Sequence, residues 1–241
     1  MKRIIKKIGI VNRKWEEFKE AKRLQLIEMQ RQAYKRRFEG DCYGCFYGVY
    51  ESFDEAKKHA PKTKPLGYQN ENQAEWDKNQ FNKHFEKLQP YDYPVVSWIS
   101  RLYQNDENSF NILDFGGNAG GQYYSFKEAL KHYINKWTVC DLKDITKVGI
   151  QFKHKYEAEN LSFINSLTQG DQVDIFFASG SIQYVDDPNP SFFIDALNYK
   201  PKYLILNRLP LIEGGGGQVV TLQNVHKAFS PMYTYNYNQF F

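Results

Sequence analysis

Between residues 110 and 210 short apolar runs alternate with longer stretches in which apolar residues recur every three or four positions. FNILDF, WTVCDL, LSFINS, VDIFFASGS and PKYLILNRL are runs of strand length. Their near-continuous apolar character predicts strands buried on both faces. GQYYSFKEALKHYI, ITKVGIQFKHKYEAEN and NPSFFIDALNY lie between them and carry helical spacing. Strands separated by ten- to fifteen-residue helices predict β-α-β units, hence an α/β fold with a mostly parallel sheet and helices on both faces.

The first 89 residues read differently. Trp15, Phe18, Lys22, Leu26 and Met29 follow one stripe, which predicts a helix over 13–38 with Gly40 as its stop. Over 41–75 aromatics alternate with glycine, the pattern of an irregular lid or linker. Within it Ser52, with Glu55 three residues on, predicts a helix N-cap, and Pro61 to Pro65 break the helix that follows. Further helices are expected from Asn72 to Leu88 and over VVSWISRLY, after Pro90 and Pro94. The chain thus divides into an N-terminal helical extension and lid, 1–89, and a sheet domain, 90–241.

Charge sharpens this division. Residues 1–40 hold thirteen Lys or Arg against five Glu, a net of +8, so the remainder of this +4 chain carries −4. The basic end fits a solvated helix face, a peripheral contact with an anionic membrane, or nucleic acid. The acidic remainder disfavours a nucleic-acid-binding module. No apolar run approaches the ~20 residues that span a bilayer, and the N-terminus lacks the features of a secretory signal, so a cytoplasmic location is expected. Cys42, Cys45 and Cys140 are too few for a disulfide framework. No second CxxC completes a zinc site, so Cys42 and Cys45 read as structural or incidental thiols and no metal is expected.

The stretch ILDFGGNAGGQYYSF places four glycines within six positions directly after the first strand. In a parallel sheet, ligands bind beyond the carboxyl ends of the strands, where the strand order switches. Gly116, Gly117 and Gly120 allow left-handed backbone or close ligand approach there. Asp114 precedes the turn, and a carboxylate at that place suits a cationic or hydroxyl-bearing ligand better than a pyrophosphate. Asp141 ends the second strand, where an acid accepts both hydroxyls of a ribose.

An acid before a glycine turn and an acid after the next strand resemble the motifs of class I S-adenosylmethionine (SAM) methyltransferases. Asn118 stands where a glycine is commoner, a mild change because Asn tolerates left-handed angles. FNILDFGGNAGGQYYSF, VDIFFASGSIQYVDDP, LILNRLPL and VVTLQNV, in that order, resemble more closely a family of bacterial methyltransferases often found in surface-polysaccharide gene clusters. The resemblance covers roughly 90–241. It implies a Rossmann-like fold, SAM as cofactor, and a hydroxyl of a sugar or polysaccharide precursor as acceptor. It further implies that Asp114 and the backbone of Gly116, Gly117, Asn118 and Gly120 hold the methionine part, Asp141 the ribose, and Asn165 or Ser166 the adenine. Such folds close with an antiparallel hairpin. Here YTYNYNQFF reads as the start of a helix, so that hairpin is expected to be missing.

In ASGSIQYVDDP, Ser179, Ser181, Gln183 and Tyr184 offer polar groups to the cofactor or acceptor, unless the serines cap the next turn and Tyr184 joins the core. Asn207 and Arg208 end the fifth strand. Arg208 holds an anionic or sugar acceptor, caps the strand, or pairs with Asp186 or Asp187. His226 is the one histidine after that strand and the candidate base. A glycan or small-molecule methyltransferase is the reading these residues favour, with a nucleic-acid-binding module or an inactive, shortened scaffold as rivals.

Overall fold

The computed structural model describes residues 2–69, 79, 81, 87–106, 108–170, 172–187, 191–214 and 216–240. The chain opens with α1 (Lys2–Glu39), β1 (Phe46–Tyr50), α2 (Phe53–His59) and α3 (Tyr93–Asp106). Then come β2 (Phe110–Phe115), α4 (Gly121–Leu130), β3 (Ile134–Cys140), α5 (Lys143–Lys155), β4 (Leu161–Ile164), β5 (Ile175–Ser179), α6 (Phe192–Asp195) and β6 (Tyr203–Asn207). β7 (Leu211–Ile212), β8 (Val219–Asn224), β9 (Phe229–Asn236) and the single turn α7 (Tyr237–Phe240) follow. The helix expected from Asn72 to Leu88 lies largely outside the described residues.

Strands β2 to β6 form one parallel sheet in the order β4-β3-β2-β5-β6. The chain leaves β2 toward one edge through β3 and β4, then returns to build β5 and β6 on the other side. The turns after β2 and β5 therefore diverge, which opens a crevice at the carboxyl ends of these two neighbours. The side-chain alternation of a strand sends its residues to opposite faces. Ile112, Trp137, Ile175 and Phe177 enter one apolar core with the helices Val95, Phe126 and Phe152 belong to. Leu113, Cys140, Phe176 and Ala178 enter a second core on the other face.

That second core is closed by a sheet of its own. β1, β8, β9 and β7 are ordered β1-β8-β9-β7, with β1 and β9 both antiparallel to β8 and β7 parallel to β9. Leu222, Phe229 and Tyr235 pack from it onto the parallel sheet. The missing-hairpin expectation is thus corrected: an antiparallel pair does follow β6, but it joins β1 in a covering layer rather than extending the edge. Tyr233 to Asn236 are strand because alternate residues point into this core. β1 arises from the 41–75 stretch, so residues before and after position 90 share this second sheet.

Several boundaries also move. α1 begins at Lys2, well before residue 13. α4 stops at Leu130, where Tyr133 N–H turns back to Leu130 O and Phe110 N–H bonds Tyr133 O at 2.8 Å, drawing Ile134 into β3. α6 is a single turn. Ser52 caps α2 as expected, its Oγ accepting from Glu55 N–H at 3.2 Å. Cys42 and Cys45, expected as structural or incidental thiols, lie side by side with Cα atoms 5.6 Å apart. Among the described residues no helix is long and apolar enough to cross a membrane.

Candidate functional site

The carboxyl end of the parallel sheet opens onto a cleft of about 1490 Å³. Its floor is formed by Phe115, Gly116, Asn118, Asp141, Asn165 and Ser179, each at the end of a strand or just beyond. Its opposite wall comes from the second sheet and the 41–69 stretch, including Asp41, Tyr43, Tyr68, Gln223 and His226. A cleft bounded by two sheets follows from the order of the strands, since β8 and β9 overhang the switch point.

At the turn after β2 the glycines are required for two different reasons. Gly116 sits at φ 69°, and a Cβ there would overlap the Cβ of Ser181. Gly117 is pressed onto the carboxylate of Asp114, which a Cβ would strike. The expectation that the Asp114 carboxylate holds the methionine part is corrected by its position. Asp114 does not reach the cleft: it is 1% exposed, beneath the turn, with Oδ2 accepting from the Trp137 indole N–H at 3.1 Å. Burial, and to a lesser extent the nearby Asp141 charge, raise its pKa to about 7 against the opposing Trp137 bond. Asp114 supports the turn from below. Gly120 is the N-cap of α4, at φ 89°, and its neighbours are Leu161, Phe163 and Tyr124.

Asp141 lies on the cleft floor. Its Oδ2 accepts from Asn118 N–H at 2.8 Å and its Oδ1 from Leu142 N–H at 2.6 Å. An ionised carboxylate has about four acceptor sites, so each oxygen retains one for a ligand. Burial raises its pKa to about 6, against these two backbone bonds. Asn118 holds the position by adopting φ 56° and accepting from Ala119 N–H with its own Oδ1. The two ends of the site are thereby locked: the turn after β2 donates to the acid after β3.

Asn165 borders the same floor, with Nδ2 donating to Asp141 O and Thr146 Oγ1, each at 2.8 Å. Ser166 is placed elsewhere. It caps the single turn Leu167–Gln169, accepting from Thr168 N–H, and does not line the cleft. Ser179 lines the cleft and accepts from Asn207 Nδ2 at 3.3 Å. Asn207 stands behind it, also donating to Tyr91 O at 2.9 Å, rather than on the wall.

Gln183, Tyr184, Arg208 and His226 all line the cleft. Gln183 is buried in the wall. The Tyr184 hydroxyl bonds Gln223 Oε1, and its ring meets Tyr68 edge-on at 5.0 Å. Arg208 lies over the Tyr91 ring, 4.4 Å from its centre, while Asp186 takes Lys57 at 3.4 Å. His226 Nδ1 is 3.0 Å from Asp41 Oδ1. This pairing depends on Asn224, a fully buried amide. Its Nδ2 donates to Phe38 O and Gly40 O, and its Oδ1 accepts from Lys64 Nζ and His226 N–H. One side chain thus ties the end of α1 to the His226 turn and brings Asp41 alongside. Asp41, Tyr91 and Gln223 have no local sequence signal, because each meets its partner across the fold.

No protein-family model matches the chain, and no curated protein matches it. Solved structures give distant likenesses. DesVI of Streptomyces venezuelae is 11% identical over 63% of this chain and 81% of its own, with a TM-score of 0.38. An O-methyltransferase family protein of Burkholderia thailandensis is 12% identical over 54% of this chain, with a TM-score of 0.37. A SAM-dependent methyltransferase of Thiobacillus denitrificans, in complex with S-adenosyl-L-homocysteine, is 15% identical over 52% of this chain, with a TM-score of 0.36. The match spans only 40% of the Burkholderia chain and 52% of the Thiobacillus chain. Likenesses this distant carry no argument about reaction or acceptor.

Proposed function

We propose that the cleft binds SAM and that the protein transfers its methyl group to a hydroxyl of a sugar or surface-polysaccharide precursor, in the cytoplasm. One observation carries the cofactor reading. At the switch point of a parallel sheet, Asp141 presents a carboxylate whose two oxygens are each held by one backbone N–H, with acceptor capacity left over. That is an acceptor pair for vicinal ribose hydroxyls. The bare turn at Gly116 and Asn118 gives the adjoining part of the ligand close backbone approach, and Asn165 flanks the other side. At about 1490 Å³ the cleft exceeds the ~300–1,000 Å³ usual for one ligand, which leaves room for an acceptor beside the cofactor.

Bound SAM would supply an electrophilic methyl on a positive sulfur. The chain's own part is to align the acceptor oxygen with it, which by positioning alone can lower a barrier by several kcal/mol. His226 serves as base in this reading. With Nδ1–H donating to Asp41, the ring is held in the tautomer whose Nε2 is the basic nitrogen, the one that would take the proton of the hydroxyl that is methylated. The tyrosines and Gln183 of the opposite wall suit a polyhydroxylated acceptor, offering apolar ring faces and an amide.

Calorimetry with SAM and S-adenosylhomocysteine on wild type and Asp141→Ala tests the reading. Losing hydrogen bonds to a charged group costs about 1.5–3 kcal/mol, so affinity should fall roughly 10- to 150-fold. Equal affinity in both proteins, or no binding to wild type, refutes it.

A further inference from the structure

We propose that α1 is an interfacial helix that lays the protein on an anionic membrane surface, with its apolar stripe in the headgroup boundary and its basic side chains against the lipid phosphates. At 1.5 Å per residue its 38 residues extend about 57 Å. Its C-terminal turns are where it is fixed. Phe38 is fully buried, stacked between Tyr47 and Phe229 with ring centres 5.3 and 5.0 Å away, and the Tyr34 hydroxyl donates to Phe46 O at 2.7 Å. Residues 13–37 are otherwise exposed, with Ile27 half-buried. An anchored end and a long solvated shaft call for an explanation, since exposed helices of this length gain little from the fold.

The shaft carries an exposed apolar stripe, with one further exposed leucine, Leu24, on the opposite face. Trp15, Phe18, Leu26 and Met29 are 55%, 49%, 55% and 60% exposed. At 3.6 residues per turn they fall within roughly 80° of arc. Ile4, Ile8 and Val11 continue the same spacing upstream. The stripe is broken once, by Lys22, whose ammonium lies 4.9 Å from the centre of the Phe18 ring. Basic residues flank it, giving the net +8 of residues 1–40. Large apolar and aromatic residues on one face with Lys and Arg around them are the composition of a helix lying in the bilayer interface.

Charge decides among the occupants. A second copy would bring +8 against +8, which opposes pairing through this stripe. A nucleic acid would meet the charge but leave Trp15, Leu26 and Met29 in water. An anionic bilayer satisfies both, each Lys or Arg at its surface strengthening binding about fivefold and each apolar side chain adding to it. α1 ends two residues before Asp41, which lines the cleft, so attachment also sets the cleft mouth near the surface. The assignment of α1 stands whatever the cleft binds.

The test is flotation of the full chain with vesicles of phosphatidylcholine alone or mixed with phosphatidylglycerol, at low and high salt. Wild type is compared with the triple variant Trp15→Ser, Leu26→Ser, Met29→Ser, which leaves every charge in place. Wild type should float with the mixed vesicles only, less so at high salt, and the variant should bind about tenfold or more weakly. An unchanged unfolding temperature shows that the variant folds. Cofactor calorimetry on the same two proteins separates failure here from failure at the cleft. The proposal is overturned by absence of flotation, by equal flotation with neutral vesicles, or by a variant that floats like wild type. It is overturned equally by a dimer that the triple substitution dissolves, or by binding to duplex nucleic acid that exceeds vesicle binding and survives that substitution.

Discussion

Replacing Asp114 by Asn removes a charge from the dry space beneath the glycine turn while keeping the shape of the side chain. The amide oxygen can still accept from the Trp137 indole, 3.1 Å away in wild type. In the folded chain burial raises the Asp114 pKa from 3.8 to about 7, so between those pH values the folded state holds a proton that the unfolded state has lost. Stability must therefore fall as pH rises through that window and level off above about 7. Each full pH unit is worth about 1.4 kcal/mol and the group is half titrated at pH 7, so Asp114 costs the fold roughly 2 kcal/mol between pH 5 and 7. The Asn variant carries no such penalty, and the Asp141 titration remains in both proteins. Urea unfolding of the two at pH 5, 6, 7 and 8 should show the variant gaining on wild type by about 2 kcal/mol up to pH 7 and little beyond. A difference that is constant across that range would mean the Asp114 carboxyl titrates normally, and its placement under the turn would be wrong.

Three further perturbations probe separate parts of the molecule. Gly116→Ala adds a Cβ against Ser181 at φ 69° and should cost about 2 kcal/mol or more, read as a lower unfolding temperature and lost S-adenosylhomocysteine binding. Phe38→Ala empties the contact between α1 and the second sheet and should destabilise by about 3–5 kcal/mol in chemical denaturation. His226→Asn should slow methyl transfer about 100-fold or more with S-adenosylhomocysteine affinity unchanged, and Asp41→Asn should slow it less; an unaffected rate would remove His226 as base.

The parallel sheet was legible because its strands are buried on both faces, which leaves uninterrupted apolar runs such as VDIFFAS. The glycine turn and Asp141 were legible because local chain geometry sets them. What escaped the sequence depends on distant pairing. YTYNYNQFF reads as the start of a helix, yet its aromatics alternate with polar residues at the period of a strand, and pairing with β8 makes Tyr233 to Asn236 the end of β9. Asp114 looks like a ligand group from its place before the turn, and only the indole of Trp137, on the neighbouring strand, turns it inward. Asp41 meets His226 because Asn224 gathers two backbone carbonyls, a lysine and an amide from remote segments.

The pairing of β1 with β8 has a consequence for biosynthesis. The hydroxyl of Thr221 bonds Tyr47 O, 174 positions earlier in the chain. At ribosomal speeds of about 5–20 residues per second, an emerging β1 waits roughly 10–35 s for its neighbour to be made. During that interval the FYGVY edge and the aromatic end of α1 have nothing to dock on, and are open to chaperones or to wrong partners. The wall carrying His226 is therefore assembled after the floor, so a nascent chain can shape the strand ends around Gly116 and Asp141 well before it can close the cleft over them.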